Sequence, residues 1–257
     1  MMKFIILGCG SSMGVPRTDG FFGKCNPKNP RNYRSRCSAL IKTKDETILI
    51  DTSPDLRQQL INNKIRFIDK VFYSHMHADQ THGINDLRVF YLKSKKTIPI
   101  FADNNTKRYL LNSFKYCFTN NSKEYPATLK LNSINKNLFI KDGNKKIKVK
   151  PIKVKHGNVN SICYIIDNKL AYISDVSSID VKDYKHFKNL KYLIIDCLWI
   201  RYHPSHLNLE NSLKLINLFK PKKAILTNLH SDLDYDYLKM ILPKKIIPAY
   251  DGLTLNL

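Results

Sequence analysis

Apolar residues along this chain come in short, nearly continuous runs of Ile, Leu, Val, Phe and Tyr, at 3–7, 38–42, 47–50, 70–73, 98–101, 148–154, 170–174, 192–196 and 223–227. Such runs read as strands, with 148–154 alternating Lys with Val and Ile. Helix signals lie between them. Ser53 as N-cap with Pro54 at the first helical position predicts a helix to about Asn63, and Asn208 caps another over 209–218. Residues 84–94 and 104–116 read as two more helices, and Lys44-Asp45-Glu46 as a charged hairpin turn. The stretch 118–150 is polar and rich in Asn and Lys, with short strand-like runs at 128–131 and 138–140, and the tail over 245–255 reads strand, loop, strand. Strands alternating with helices, without an internal repeat, predict a layered α/β protein, and 257 residues suit one domain spanning 1–257.

Composition narrows the partners. An apolar fraction of 43% is ordinary for a globular chain. No run approaches the ~20 apolar residues of a membrane helix. Phe4-Ile5-Ile6-Leu7 ahead of Gly8-Cys9 is too short for the hydrophobic region of a signal, so a cytoplasmic protein with no membrane partner is expected. Lys and Arg number 43 against 21 Asp and Glu, for a net charge of +22. That excess admits two readings: affinity for phosphates or nucleic acid, or a lysine-rich composition whose charges are scattered and form no stripe. The six cysteines, at 9, 25, 37, 117, 163 and 197, include no Cys-x-x-Cys pair, which excludes a zinc knuckle or thioredoxin-type motif and fits reduced thiols. A serine hydrolase of the Gly-x-Ser-x-Gly type is excluded too, because that string is absent.

The chemistry gathers behind the run at 70–73, in Ser74-His75-Met76-His77-Ala78-Asp79-Gln80-Thr81-His82-Gly83. In extended backbone, side chains two apart share a face, so His75, His77 and Asp79 project together into one pocket. Two imidazoles and a carboxylate suit zinc, manganese or iron. Later runs repeat the device of a ligand-type residue at a strand end: His156 after 148–154, Asp175 after 170–174, and Asn228-Leu229-His230 after 223–227. On αβ scaffolds, function collects where such ends and loops converge.

The His-x-His-x-Asp string after a strand, with Gly83 opening a helix, resembles the metallo-β-lactamase superfamily of metal-dependent hydrolases. The string Gly8-Cys9-Gly10-Ser11-Ser12-Met13-Gly14-Val15-Pro16-Arg17 is similar to the opening of one branch, which holds the cyclic-phosphate phosphodiesterase of phosphonate breakdown and the tRNA 3′-processing endonuclease. The resemblance implies a four-layer αββα sandwich and two divalent ions, zinc or manganese. His75, His77 and His156 would hold the first ion, Asp79 and His230 the second, with Asp175 between them. In such a centre the ions stand about 3.5–4 Å apart and bring the pKa of a shared water to roughly 7 from about 15.7. The resemblance also implies Asp51 as a brace for the metal loop, and His206, just ahead of the helix capped by Asn208, as general acid or phosphate contact. Arg17 is a plausible pocket residue. Arginines of the long loop 18–36, Arg34 among them, either contact a phosphate or are simply solvated.

Three departures from the family pattern matter. Gln80 stands where the motif carries a further histidine, and an amide oxygen binds borderline metals less well than imidazole, so the second site is expected to be weak or altered. His82 remains open as a substitute ligand, a support for the ligands or a substrate contact. Loop 18–36 has only Cys25, so the structural zinc that the phosphodiesterase holds there on clustered cysteines is not expected. The endonuclease's tRNA-binding arm has no counterpart. The leading expectation is a phosphodiesterase acting on small or cyclic phosphate diesters, nucleotides included. Thioester or lactone hydrolysis is the alternative, as is a basic nucleic-acid-binding module with a degraded second metal site. Family members often dimerise, which leaves a homodimer open.

Overall fold

Strand β1 (Lys3–Gly8) shows how the layers arise, for Phe4 and Ile6 enter one core while Ile5 and Leu7 enter another. It belongs to a computed structural model that describes residues 2–120, 126–134 and 137–257, so part of the polar stretch 118–150 lies outside the described residues. β1 pairs antiparallel with β2 (Ser38–Lys42), and β2 with β3 (Thr47–Ile50). From β3 the sheet continues in parallel through β4 (Lys70–Phe72), β5 (Ile98–Ala102) and β6 (Leu129–Ser133). The second sheet starts with β7 (Leu138–Asp142), β8 (Lys145–His156), β9 (Val159–Ile166) and β10 (Leu170–Ile173), all antiparallel. It then turns parallel through β11 (Tyr192–Asp196), β12 (Lys223–Thr227) and β13 (Ile246–Pro248), before β14 (Leu253–Asn256) returns to β1.

Phe4, Ile48 and Phe72 of the first sheet pack against Tyr164, Tyr172 and Ile194 of the second. On the first sheet's outer face lie α1 (Leu56–Asn62), α2 (Ala78–Thr81), α3 (Arg88–Ser94), α4 (Asn104–Ser113) and α5 (Lys115–Phe118). Leu56, Leu60, Phe90 and Leu110 from this set cover Leu40, Leu49 and Val71. On the far side α6 (Leu209–Phe219) and α7 (Tyr235–Ile241) lay Ile216, Phe219 and Leu238 over Leu193, Ile195 and Leu226. The result is the four-layer αββα sandwich: the central strands, such as β3, β10 and β11, are covered on both faces, while β7, β8 and β14 alternate buried and exposed positions, and each buried large apolar side chain contributes ~1.5–3 kcal/mol.

Local signals gave way in three places. The helix expected from Ser53 begins at Leu56, because Ser53 Oγ accepts the Asp55 N–H at 3.1 Å and closes a turn over Pro54. The run 84–94 divides into a 3-10 turn, Ile84–Leu87, and α3. The run 104–116 breaks at Phe114, whose φ of −131° is not helical. β9 and α7 are elements for which the sequence pattern carried no expectation. Asn208 does cap α6, accepting the Asn211 N–H at 2.9 Å. Among the described residues no helix is long and apolar enough to cross a membrane, and all six cysteines are free and buried.

Candidate metal centre

Asp51, at the end of β3 with φ +63°, accepts the Ser74 N–H at 2.7 Å and so fixes the backbone immediately ahead of His75. From there the chain runs extended through His77 (φ −62°, ψ 154°) and enters α2, whose first turn carries Asp79 and Gln80. His75 Nε2 lies 3.0 Å from His77 Nδ1, and His156 Nε2 lies 3.2 Å from the same atom. The orientation of His156 is set from behind, where its Nδ1–H donates to the Ser205 carbonyl at 2.7 Å, leaving Nε2 unprotonated and facing the other rings. Gly157 (φ +56°) permits this approach: a Cβ there would stand 2.8 Å from Ser205 Cβ.

Burial pushes the His75 pKa down to about 3 and lowers those of His77 and His156 as well, so all three are neutral imidazoles, the form that ligates metals. Three neutral ring nitrogens crowded at about 3 Å form a donor set suited to a divalent cation. Asp175, just past β10, adds a carboxylate oxygen near the donor atoms of His156 and His206. The residues present therefore fit a cation held by His75, His77, His156 and Asp175.

The remaining candidates fall in different places. His206 faces the same cavity, its Nδ1 2.8 Å from buried Asp196. Burial alone would lower its pKa, but the Asp196 carboxylate outweighs that and pushes it up to about 9. Asp79 lines the cavity, its pKa raised by burial and by neighbouring Asp175. His230 stands at the cavity wall beside Trp199 (5.0 Å between rings), outside the converging ligand atoms, with its Nδ1 accepting the Asp232 N–H at 3.2 Å. Gln80 is fully buried and donates to Asp79 at 3.1 Å. His82 lies outside the cavity, hydrogen-bonded to the Tyr109 hydroxyl at 2.9 Å. Arg17 is ion-paired with Asp19 in solvent.

Arg34 is 2% exposed, with its guanidinium donating to Leu233 O at 2.7 Å, Asn32 Oδ1 at 3.0 Å and His230 O at 3.4 Å. Its loop is held to the 231–236 segment by further bonds, such as Asn32 to Asp234 at 2.7 Å and Asn29 to Asp236 at 2.8 Å. The structure thus makes Arg34 a support beneath the cavity floor, and does not bring it to the ligands.

Two residues that the sequence pattern passed over belong to the site. Asp196 ends β11 as Asp175 follows β10, a signal of the same kind that was present in the sequence. Asn228, with φ +61°, turns its amide into the cavity where the pattern pointed to His230. The cavity has a volume of about 280 Å³, with Leu198, Trp199 and Met13 as its apolar wall. A larger cavity of about 630 Å³, lined by Tyr33, Arg36, Asp55 and Gln58, contains no histidine.

Imidazoles and carboxylates gathered at strand ends between two covered sheets define the metallo-β-lactamase fold with its hydrolase-type metal centre. The chain belongs to the beta-lactamase superfamily: the family model described as "Beta-lactamase superfamily domain" matches residues 46–228. It is 30% identical to a structure described as a new diphosphatase from the PhnP family, with a TM-score of 0.90 over 100% of this chain and 98% of that one. The short form of human tRNase Z (ELAC1) superposes with a TM-score of 0.68 at 15% identity, over 99% of this chain and 98% of that one, a likeness of fold alone. A Porphyromonas gingivalis protein named octanoyltransferase is 31% identical over 98% of this chain. The chain spans about half the length of that relative, 51%.

Proposed function

We propose that this chain, as one domain over 1–257, is a metal-dependent phosphodiesterase that hydrolyses small or cyclic phosphate diesters, nucleotides among them. The observation that carries the reading is the placement of His206, held from behind by Asp196, on the same 280 Å³ cavity as His77, His156 and Asp175. A divalent cation held by His75, His77, His156 and Asp175 would supply Lewis acidity toward water and the phosphoryl group. The chain's own residues do the rest. His206, charged beside Asp196, donates to a phosphoryl oxygen or protonates the departing alkoxide. Asp196 holds the ring so that its other nitrogen faces the cavity. Leu198, Trp199 and Met13 give the ester's organic group an apolar surface. The cavity volume favours a small substrate, and the diphosphatase relative agrees in chemistry, since diphosphate and phosphodiester hydrolysis both pass a phosphoryl group to water.

A second reading, hydrolysis of a thioester or lactone, draws support from the relative named octanoyltransferase, although that name belongs to a protein about twice as long as the matched segment. One experiment separates the two. Purified protein loaded with zinc, manganese or iron is assayed on bis-p-nitrophenyl phosphate, 2′,3′-cyclic nucleotides, an acyl thioester and a lactone. Phosphodiester turnover that disappears in His75→Ala is expected. Absence of phosphodiester turnover with every metal overturns the proposal, and a dominant thioester rate moves the assignment to acyl chemistry. Salt-sensitive RNA binding without hydrolysis of any substrate identifies a binding module.

A further inference from the structure

The three imidazoles account for one cation, and the geometry beside Asp79 is of another kind. A carboxamide meets each of the two carboxylate oxygens of Asp175: Gln80 Nε2 is 3.4 Å from Oδ2, and Asn228 Nδ2 is 3.4 Å from Oδ1. The Gln80 amide also donates to Asp79 Oδ2 at 3.1 Å, linking the two acids through one NH2 group. The Asn228 amide lies 3.3 Å from Asp196 Oδ1 and 3.2 Å from His206 Nδ1. Both amides are almost wholly buried. Reversing either amide would aim its oxygen at carboxylate oxygens, so the N–H orientation follows from the charges around it. His230, the imidazole expected to serve a second ion, stands instead against Trp199 and the Asp232 N–H.

We infer that this centre holds one divalent cation, and that Gln80 and Asn228 occupy the place of a second, their amide hydrogens bridging the carboxylates of Asp79, Asp175 and Asp196. Amide N–H groups satisfy carboxylate lone pairs that would otherwise need a cation, and the imidazole on that side, His206, already has its Nδ1 held by Asp196 at 2.8 Å. The inference rests on the hydrolase reading for its first cation site, and the experiment keeps the two apart.

The test is metal stoichiometry. Native protein is equilibrated by dialysis with excess zinc and, separately, manganese, and bound metal per chain is measured by plasma mass spectrometry. Electron paramagnetic resonance of the manganese form reports whether two ions are exchange-coupled. One ion per chain and an uncoupled spectrum are expected. Two ions per chain, or a coupled spectrum, overturn the inference and leave the hydrolase proposal standing. No bound ion at all overturns both. The double variant Gln80→His with Asn228→His is expected to take up a second ion, doubling bound zinc. If that variant retains the native circular dichroism and thermal midpoint yet stays at one ion, the role given to the amides is wrong. If it does not fold, the native stoichiometry decides alone.

Discussion

Asp196 Oδ2 lies 2.8 Å from His206 Nδ1 and accepts the Val176 N–H at 3.0 Å, so one buried carboxylate ties the ring to the segment carrying Asp175. Its other oxygen faces the Asn228 amide at 3.3 Å. A carboxylate committed in this way is placed to position an imidazole and stands outside the converging ligand atoms, which separates the roles of Asp175 and Asp196 despite their equivalent places at strand ends.

Replacing His206 should therefore cost chemistry and spare metal binding. His206→Ala is expected to lower kcat by about 10²–10³-fold, the range of a lost general acid, with bound metal unchanged by plasma mass spectrometry. Asp196→Asn, which keeps the shape but weakens the hold on the charged ring, is expected to lower kcat at least ~10-fold. A His206→Ala protein with native kcat on bis-p-nitrophenyl phosphate would exclude the role.

Removing the cation should destabilise the fold as well as silence the enzyme, since neutral imidazoles packed nitrogen to nitrogen hold together best around an ion. A ligand at 100 times its Kd adds about 2.7 kcal/mol. Chelation is expected to lower the Tm, and zinc to restore it in the native protein but not in His75→Ala or His156→Ala. Equal Tm values with and without chelator would count against the site.

The sequence made the centre legible only in part, and the divisions have physical causes. His75 and His77 were readable because ligand types at spacing two behind a strand share a face by backbone geometry alone, whereas Asp79 already lies in the first turn of α2 and reaches the cavity by another route. The layers were readable from the alternation of strands with helices together with the resemblance carried by the His-x-His-x-Asp string. Which of Asn228 and His230 meets Asp175 was not readable, since the positive φ of Asn228 breaks the strand's alternation at its last step. Arg34 misled for a related reason: a charged residue in a polar loop reads as a surface group until three acceptors, 199, 196 and 2 positions away in sequence, are brought around it. β9 escaped notice because Asn160 and Ser161 interrupt its apolar pattern.

Gly83 is required for space, its φ of −84° being open to any residue. A Cβ there would stand 2.0 Å from the Ser53 carbonyl oxygen and 2.9 Å from Leu56 Cβ. Gly83→Ala is expected to destabilise the protein by about 2–4 kcal/mol, because backbone must move to admit the methyl group. The displaced backbone adjoins α2, which carries Asp79 and Gln80, so metal affinity should fall with stability. Denaturant titration and metal titration of the variant check both effects; a native midpoint would show that the contact is easily relieved.

Asp251 makes a stability prediction far from the ligands. Its carboxylate accepts the Ser35 N–H at 2.8 Å, the Ser35 hydroxyl at 2.6 Å and the Cys9 N–H at 3.2 Å, joining the end of β1 to the segment before β14. Burial nevertheless pushes its pKa up to about 6, against the pull of those donors. A carboxyl whose folded pKa lies above its unfolded value of about 3.9 binds its proton more tightly when folded, so its contribution is complete below about pH 4 and is lost as pH rises through 6. A shift of this size corresponds to about 3 kcal/mol, which the residue's partial exposure reduces to about 2 kcal/mol. Asp251→Asn cannot ionise, so the stability difference, native minus variant, should fall by about that amount between pH 4 and pH 7 in denaturant titrations at each pH. A difference that grows with pH would mean that the Ser35 and Cys9 donors outweigh burial, and that this carboxylate is held ionised in the folded chain.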